Sequence, residues 1–424
     1  MSRAPLVVKM AGGSLSLAPM SIAAFEVGKS FIVLPAAPMV RRYGRHRIFL
    51  VGTLFSFIST ALGVLGVIYM MPWLIIASTF FAGTYTGIAY GYRYAAIEIA
   101  QEHREFAVTL CLSGGVLAAI IGPLGAILSA DWFVLVRYEN IGVYGLNAIF
   151  VGINFFLLLF VSFPADKKAG TGDDNICTEQ KKVNHQKREN TLEAGVYPCD
   201  SSDTKASSTR TEKNHNAKST MTICQVVSNR IFFFATIIST MTWVCMSIPL
   251  STVGLVLNQL DPPLSDGAVE ATFIAHFLGM FLPGLGTGKF IQNFGFCAAG
   301  FGSIALYIFA TVLNIFAQAG EPVLWIIGQF FVGMAWNLGF TSATVMLSTS
   351  CPPDDRELAC RTQSYSDFVS FLGGGIITIS AGYMLDSNHV DNILEGWQLL
   401  NYVQFFFIGI MLVVILMHGK TEKG

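Results

Sequence analysis

Eight side chains set in apolar stretches carry the chemistry this sequence can offer. Glu26 and Lys29 stand three residues apart in MSIAAFEVGKSFIVLP, so on a helix they share a face and can pair. Charged groups inside a bilayer are costly and usually face a cavity or a partner. The pair therefore reads as a self-neutralised structural pair or as a gate with a proton-linked carboxylate, a role that suits a low-dielectric cavity. Arg93 in YGYRYAA either snorkels to the interface or offers a fixed cation and a hydrogen-bonding fork to an anionic or carbonyl-bearing solute. Tyr90, one turn earlier, shares its face, and Glu98 reads as a gate or cap residue near the helix end. His276, next to Gly279, Met280 and Pro283, is either a satisfied interhelix hydrogen bond or a proton relay. Trp336 supplies a stacking face and Asn337 a two-way hydrogen bonder. Together they suit a planar heterocycle, or else they are a core Trp beside a helix-packing Asn.

The elements that must position these groups are membrane helices. The chain has 424 residues, 53% hydrophobic and only 12% charged, with a net charge of -1. A soluble domain carries about twice that charged fraction. Apolar runs of about 18 or more residues read as membrane-spanning helices. Eleven such runs lie near 18–40, 48–70, 73–99, 106–130, 142–163, 230–257, 267–291, 295–318, 322–349, 364–385 and 397–417. A barrel strand would instead be about ten residues of alternating pattern.

Charge sets the orientation. The connections 41–47 (Arg41, Arg42, Arg45, Arg47), 100–105 (Arg104), 164–229, 292–294 beside Lys289, and 350–363 (Arg356, Arg361) hold most of the Lys and Arg. The tail adds Lys420 and Lys423, and the connections on the opposite side hold only Arg137. The positive-inside rule places the basic side, with the central loop and the C-terminus, in the cytosol. Asp355, Arg361 and Asp367 then fall at the cytosolic face, as gate salt bridges or solvated charges.

Other motifs narrow the classes. Gly83, Gly87 and Gly91 form GxxxGxxxG, the pattern of close helix packing. Gly373, Gly374 and Gly375 allow bending or tight packing. No nucleotide-binding GxxxxGK[ST] loop, HExxH or credible Ser/His/Asp pattern occurs, so ATP-driven transport, an enzyme, a cofactor and a metal site are all unsupported. The eight cysteines include no CxxC pair and give no disulfide framework. The start carries no signal-peptide pattern.

Residues 164–229 are polar and rich in Lys, Ser, Thr and Asn, and read as a largely disordered linker. Five apolar runs precede it and six follow. A repeat is visible across it: Ala37-x3-Arg41-x2-Gly44 corresponds to Gly288-x3-Gln292-x2-Gly295, and each follows a helix carrying a proline, Pro38 or Pro283. Residues 1–17 are too short and too interrupted by charge to span, and read as the trailing end of a first helix.

At APMVRRYGRHRIFLVG the chain resembles the major facilitator signature between helices two and three, with Arg42, Gly44 and Arg45 on matching positions. Ala37 and Arg41 stand where that signature has Gly and Asp, which removes the usual cytosolic interlock from this half. GGVLAAIIGPLGAIL, with Gly122 and Pro123, is similar to the Gly-Pro signature of helix five, but Ala126-Ile127 replaces its later Gly-Gly. The blocks 92–123, 276–295 and 333–347, with QSYSDF at 363–368, resemble a mostly uncharacterised bacterial-type branch in which another helix precedes the segment matching 12–40.

The resemblance implies an all-α membrane fold of two six-helix halves, here about eleven transmembrane helices. The halves are 1–163, with its first helix apparently truncated, and 230–424, around the 164–229 linker. It implies secondary transport of a small organic solute by a monomer, with proton coupling motivated by Glu26 and His276. A riboflavin-type role is associated with some relatives. Glu26, Lys29, Tyr90, Arg93, His276, Trp336 and Asn337 are the pathway candidates. Arg42, Gly44, Arg45, Gly288, Gly295 and Asp367 are the gate and signature positions, and Gly83, Gly87, Gly91, Gly122 and Pro123 the packing positions. The reading from another class is a non-transporting sensor or scaffold acting through 164–229. No nucleic-acid partner is implied.

Overall fold

A computed structural model describes residues 3–92, 104–130, 141–161, 227–350, 356–386 and 392–421. Arg93, Glu98, Arg137, Asp355, Lys423 and nearly all of the 164–229 linker lie outside the described residues. Within them the chain forms twelve helices. In order these are α1 (Ala4–Met10), α2 (Met20–Tyr43), α3 (Arg45–Ile68), α4 (Pro72–Ala89), α5 (Arg104–Ala130), α6 (Ile141–Phe160), α7 (Arg230–Leu257), α8 (Asp266–Phe281), α9 (Gly284–Phe316), α10 (Pro322–Ser348), α11 (Arg356–Leu385) and α12 (Ile393–Thr421).

Seven helical stretches among the described residues are long and apolar enough to cross a bilayer, and Asp266–Phe316, of 51 residues, holds α8 and α9 with a further corner at Gly295. Helices occupy all eleven apolar runs. Two runs differ in shape from expectation. The run at 267–291 breaks at Leu282 and Pro283, because proline removes a backbone donor and clashes with the preceding turn. The described helix in 73–99 ends at Ala89, where Tyr90 and Gly91 turn.

Local chemistry sets several helix ends. Ser265 Oγ accepts from the Ala268 amide at 3.3 Å, with Asp266 in the first turn of α8. Asn229 Oδ1 accepts from the Ile231 amide at 3.0 Å and starts α7. Pro72 and Pro322 open α4 and α10, where the missing donor is harmless.

The repeat seen in sequence is present in the backbone. Gly44 (φ 83°, ψ 157°) forms the corner between α2 and α3, and Gly295 (φ 82°, ψ 164°) forms the corner inside α9. A side chain is strained at such φ, so both corners call for glycine. The residues before Pro72 and Pro322 match as well: Met71 has φ -108° and ψ 102°, Glu321 φ -116° and ψ 104°. Two backbone crossings recur in the same way. A Cβ on Gly28 would strike the Phe80 carbonyl and one on Gly83 the Phe25 carbonyl. In the later helices, a Cβ on Gly279 would strike the Phe330 carbonyl and one on Gly333 the His276 carbonyl. Pairs of glycines thus let α2 cross α4 and α8 cross α10 at backbone contact.

Gly122 differs from expectation. A Cβ there meets nothing within 4 Å, whereas one on Gly125 would lie 2.6 Å from Leu146 of α6. The Gly-Pro segment therefore packs through Gly125, with Pro123 buried beside it.

At the bundle end away from the Gly44 and Gly295 corners, the first residues of the chain bind the later helices. Arg3 Nε pairs with Glu270 Oε1 at 2.8 Å, and Arg3 Nη2 reaches Asp266 Oδ2 at 3.5 Å. The Ser16 amide donates to Asp386 Oδ2 at 3.1 Å. Val7 and Val8 of α1 share an apolar cluster with Val67, Ile75 and Leu255.

The crossings give a direct test. Overpacking costs roughly 1–3 kcal/mol, so Gly279→Ala is expected to lower the thermal unfolding temperature of the purified protein in detergent. Gly122→Ala should leave that temperature unchanged. Equal behaviour of the two variants would contradict the crossing geometry.

Candidate functional site

The site is built on α2. Its helical spacing puts Glu26 and Lys29 on one face, and Lys29 Nζ lies 2.6 Å from Glu26 Oε1, with both side chains buried. The opposite side of α2 is closed by α4: a Cβ on Gly87 would lie 3.1 Å from the Lys29 carbonyl oxygen and 3.3 Å from its Cα. Two glycines of the GxxxGxxxG motif, Gly83 and Gly87, thus set α4 against the backbone behind Lys29. The third, Gly91, faces Phe49 of α3.

The Lys29 ammonium ends in a box of rings. It lies 4.2 Å from the centroid of Trp243 (α7), 4.5 Å from Phe371 (α11) and 4.8 Å from Phe25 (α2). An ammonium over an aromatic face is held by the ring quadrupole, more strongly when desolvated. The rings continue into α10. Trp336 stacks on Phe340 at 5.0 Å and 9°, and Trp243 stands edge-on to Trp336 at 5.3 Å and to Phe371 at 4.9 Å. Tyr90 stacks on the other side of the cluster, 5.7 Å from Phe371 and tilted 22°. Among the pathway candidates, Glu26, Lys29, Tyr90 and Trp336 are thus brought together. Trp243, Phe340 and Phe371 were not singled out in the sequence, because one ring among many in apolar helices carries no signal of which face it turns inward.

The glycine run 373–375 acquires a specific position. A Cβ on Gly374 would lie 3.7 Å from Glu26 Oε2, and one on Gly375 3.5 Å from Glu26 Cβ. Small residues here let α11 close over the carboxylate. Polar contacts continue the junction: Ser30 Oγ donates to the Phe368 carbonyl at 3.5 Å, and Ser370 Oγ to Ser239 Oγ at 2.8 Å.

Three candidates stand elsewhere or do something else. Asn337 is committed to structure: its Nδ2 donates to the Met280 carbonyl at 2.7 Å and its Oδ1 accepts from Thr287 Oγ1 at 2.6 Å. The Met280 carbonyl lies in the last turn of α8, where the Pro283 break leaves carbonyls without helical donors. Asn337 therefore repairs the break and is not free to bind a solute. His276 is fully buried in the α8–α10 crossing beside Gln329, and none of their side-chain nitrogen or oxygen atoms meets hydrogen-bond geometry. It is apart from the box. Asp367, expected at a cytosolic surface, is only 5% exposed. It accepts from Gln363 Nε2 at 2.8 Å and acts electrostatically on Lys29, because α11 begins at Arg356 and carries it inward. The signature positions Arg42, Gly288 and Gly295 are exposed at the corners, and Arg45 is half-buried. Among the described residues, no three His, Cys, Asp or Glu side chains gather as metal ligands.

The sequence profile of the Major Facilitator Superfamily matches residues 4–374. The chain belongs to that superfamily. It is 23% identical over 430 residues to the riboflavin transporter RfnT of Brucella anthropi, covering 99% of this chain and 93% of the relative. It is also 23% identical to the uncharacterized MFS-type transporter YdeG of Bacillus subtilis, covering 89% of this chain and 81% of the relative. Among solved structures, a variant of the nucleoside transporter NupG aligns with a TM-score of 0.65 at 12% identity, covering 97% of this chain and 95% of that one. The E. coli fucose:proton symporter FucP aligns with a TM-score of 0.51 at 14% identity, covering 97% and 95%. The fold of this facilitator is therefore the major facilitator fold, and its general activity is transport across a membrane, not catalysis.

Burial makes the facilitator's central ion pair experimentally accessible. Removing one member of a buried pair costs roughly 3–5 kcal/mol, whereas replacing both by apolar residues is often neutral or stabilising. Lys29→Met is expected to lower the unfolding temperature sharply, and the double change Glu26→Leu with Lys29→Met to recover most of it. A double variant no more stable than Lys29→Met alone would show that the pair does not act as a unit.

Proposed function

We propose that this chain is a secondary active transporter that moves a small planar organic solute by alternating access, with the Lys29 box as its central site. The halves are 1–163 and 230–424, joined by the cytosolic 164–229 linker. The observation that carries the reading is the Glu26–Lys29 pair, buried where α2 meets α7 and α11 and roofed by Trp243 and Phe371. Isolated charge is expensive in a bilayer interior, and a pair placed at a junction between the halves has a use there. Rings at the same point offer stacking to a planar solute. The relative named a riboflavin transporter supports a solute of this shape.

Alternating access requires one end of the path to be closed while the other admits solute. Arg3 with Glu270, and Ser16 with Asp386, join the first residues to α8 and the end of α11 at the end away from the basic corners. With the basic corners in the cytosol by the positive-inside rule, these contacts close the outer end. Breaking them accompanies opening outward.

Coupling follows from the same pair. A proton on Glu26 removes the partner that holds Lys29 in the box. The ammonium then keeps the ring faces and the more distant field of Asp367, and the junction loosens. Proton binding and junction opening are linked in this way, with Asp367 as the other acidic group that acts on Lys29.

The test is uptake into proteoliposomes. Riboflavin, nucleobases and organic anions are offered with and without an inward proton gradient. Gradient-stimulated uptake of a planar heterocycle is expected. Glu26→Gln should remove the gradient stimulation and lower the initial rate by about tenfold, which corresponds to roughly 1.4 kcal/mol. Gly122→Ala, remote from the box, serves as the active control. Gradient-independent uptake by both proteins would overturn the proton-coupled reading.

A further inference from the structure

We infer that the Lys29 box recognises the imide edge of its solute, a ring N–H flanked by two carbonyl groups, as in a pyrimidinedione ring. The inference rests on the reading of this box as the solute site, and it adds which edge of the ring the site reads.

It starts from hydrogen-bonding capacity that the protein leaves unused. Three polar atoms around the box are buried and have no partner: Glu26 Oε2, Trp243 Nε1 and Trp336 Nε1. Their residues are 4%, 2% and 6% exposed. Buried polar atoms in native proteins are nearly always hydrogen-bonded, and an exception asks for an explanation. Lys29, 2% exposed, adds donors of its own. It gives one hydrogen bond to Glu26 Oε1 at 2.6 Å, the rings of Trp243, Phe371 and Phe25 lie against it, and Asp367 acts on it electrostatically.

The unused set is one anionic acceptor beside donors. An ionised carboxylate oxygen only accepts, an indole N–H only donates, and an ammonium only donates. The complement is a solute with a donor between acceptors. An imide supplies this: its N–H meets Glu26 Oε2, which accepts whether the carboxyl is ionised or carries its proton on Oε1, and its carbonyl oxygens meet the indole N–H groups and the ammonium. The side chains that carry these groups adjoin one another. Lys29 Nζ is 4.2 Å from the Trp243 ring, and the Trp336 ring is centred 5.3 Å from that of Trp243. The parallel Trp336–Phe340 pair offers a flat face to the same solute.

The chemistry disfavours other classes. A carboxylate solute would face Glu26 Oε2. An alkylammonium solute would face the fixed charge of Lys29. A sugar presents hydroxyls that both donate and accept, so it gains nothing from a fixed order of one acceptor between donors. In the closed arrangement the Lys29 side chain itself fills the box, so the solute enters as the junction opens, and its ring replaces the ammonium against Trp243.

The experiment compares two ligands that differ only at the imide nitrogen. Riboflavin and 3-methylriboflavin are offered to the full chain in proteoliposomes, with organic anions in the same panel. A buried acceptor left unpaired discriminates strongly against an analogue lacking the donor. The expected result is at least a tenfold lower apparent affinity for the methylated compound. Trp336→Phe keeps a ring and removes one donor, so it should raise the apparent KM for riboflavin several-fold without shifting the unfolding temperature. Equal uptake of the two flavins would overturn the imide assignment and leave the transport reading standing. Uptake of an organic anion alone would overturn the imide and the planar-solute reading together. No flux of any compound by folded protein would overturn the transport reading itself.

Discussion

An ammonium group cannot be placed alone in a hydrocarbon interior, and much of this structure answers to that constraint at Lys29. Its charge is met by Glu26 one helical turn away and by the faces of three rings on α2, α7 and α11. Those partners come from helices far apart in sequence, so satisfying one charge fixes a three-helix junction. The glycines follow from the same demand. Gly83 and Gly87 bring α4 to the backbone behind Lys29, and Gly374 and Gly375 bring α11 over Glu26.

The scaffold around this junction is a repeated one. The Gly44 and Gly295 corners share a backbone conformation, and the Gly28–Gly83 and Gly279–Gly333 crossings share a packing mode. The copies diverge where the chemistry does. α2 runs unbroken through Pro35 and Pro38 and carries the ion pair, whereas the corresponding run breaks at Pro283. The break leaves carbonyls without helical donors, and Asn337 takes up the one at Met280. A polar side chain that looks ready for a solute is thus consumed by the backbone.

A junction held by one ion pair, ring contacts and small residues is suited to movement. Such contacts are strong when closed and can be exchanged without unfolding a helix. The contacts from Arg3 and Ser16 to α8 and α11 have the same character at the bundle end. Transport in the superfamily requires two discrete arrangements of one packed body, and both sets of contacts can differ between them.

The sequence by itself determined the class and the repeat. Hydropathy, proline and positive-φ glycine act locally, and a bilayer leaves few alternatives to helices. It also determined the Glu26–Lys29 pairing, because residues three apart on one helix meet whatever surrounds them. It did not separate Asn337 from Trp336, place Asp367 inside the bundle, or show that Gly125 and not Gly122 meets its neighbour. Nor did it single out Trp243, Phe340 and Phe371 among the chain's many aromatic residues. Those outcomes depend on how helices rotate about their axes and how far along them they slide. Rotation and register are set by side-chain packing between distant segments, and only the tertiary structure decides them.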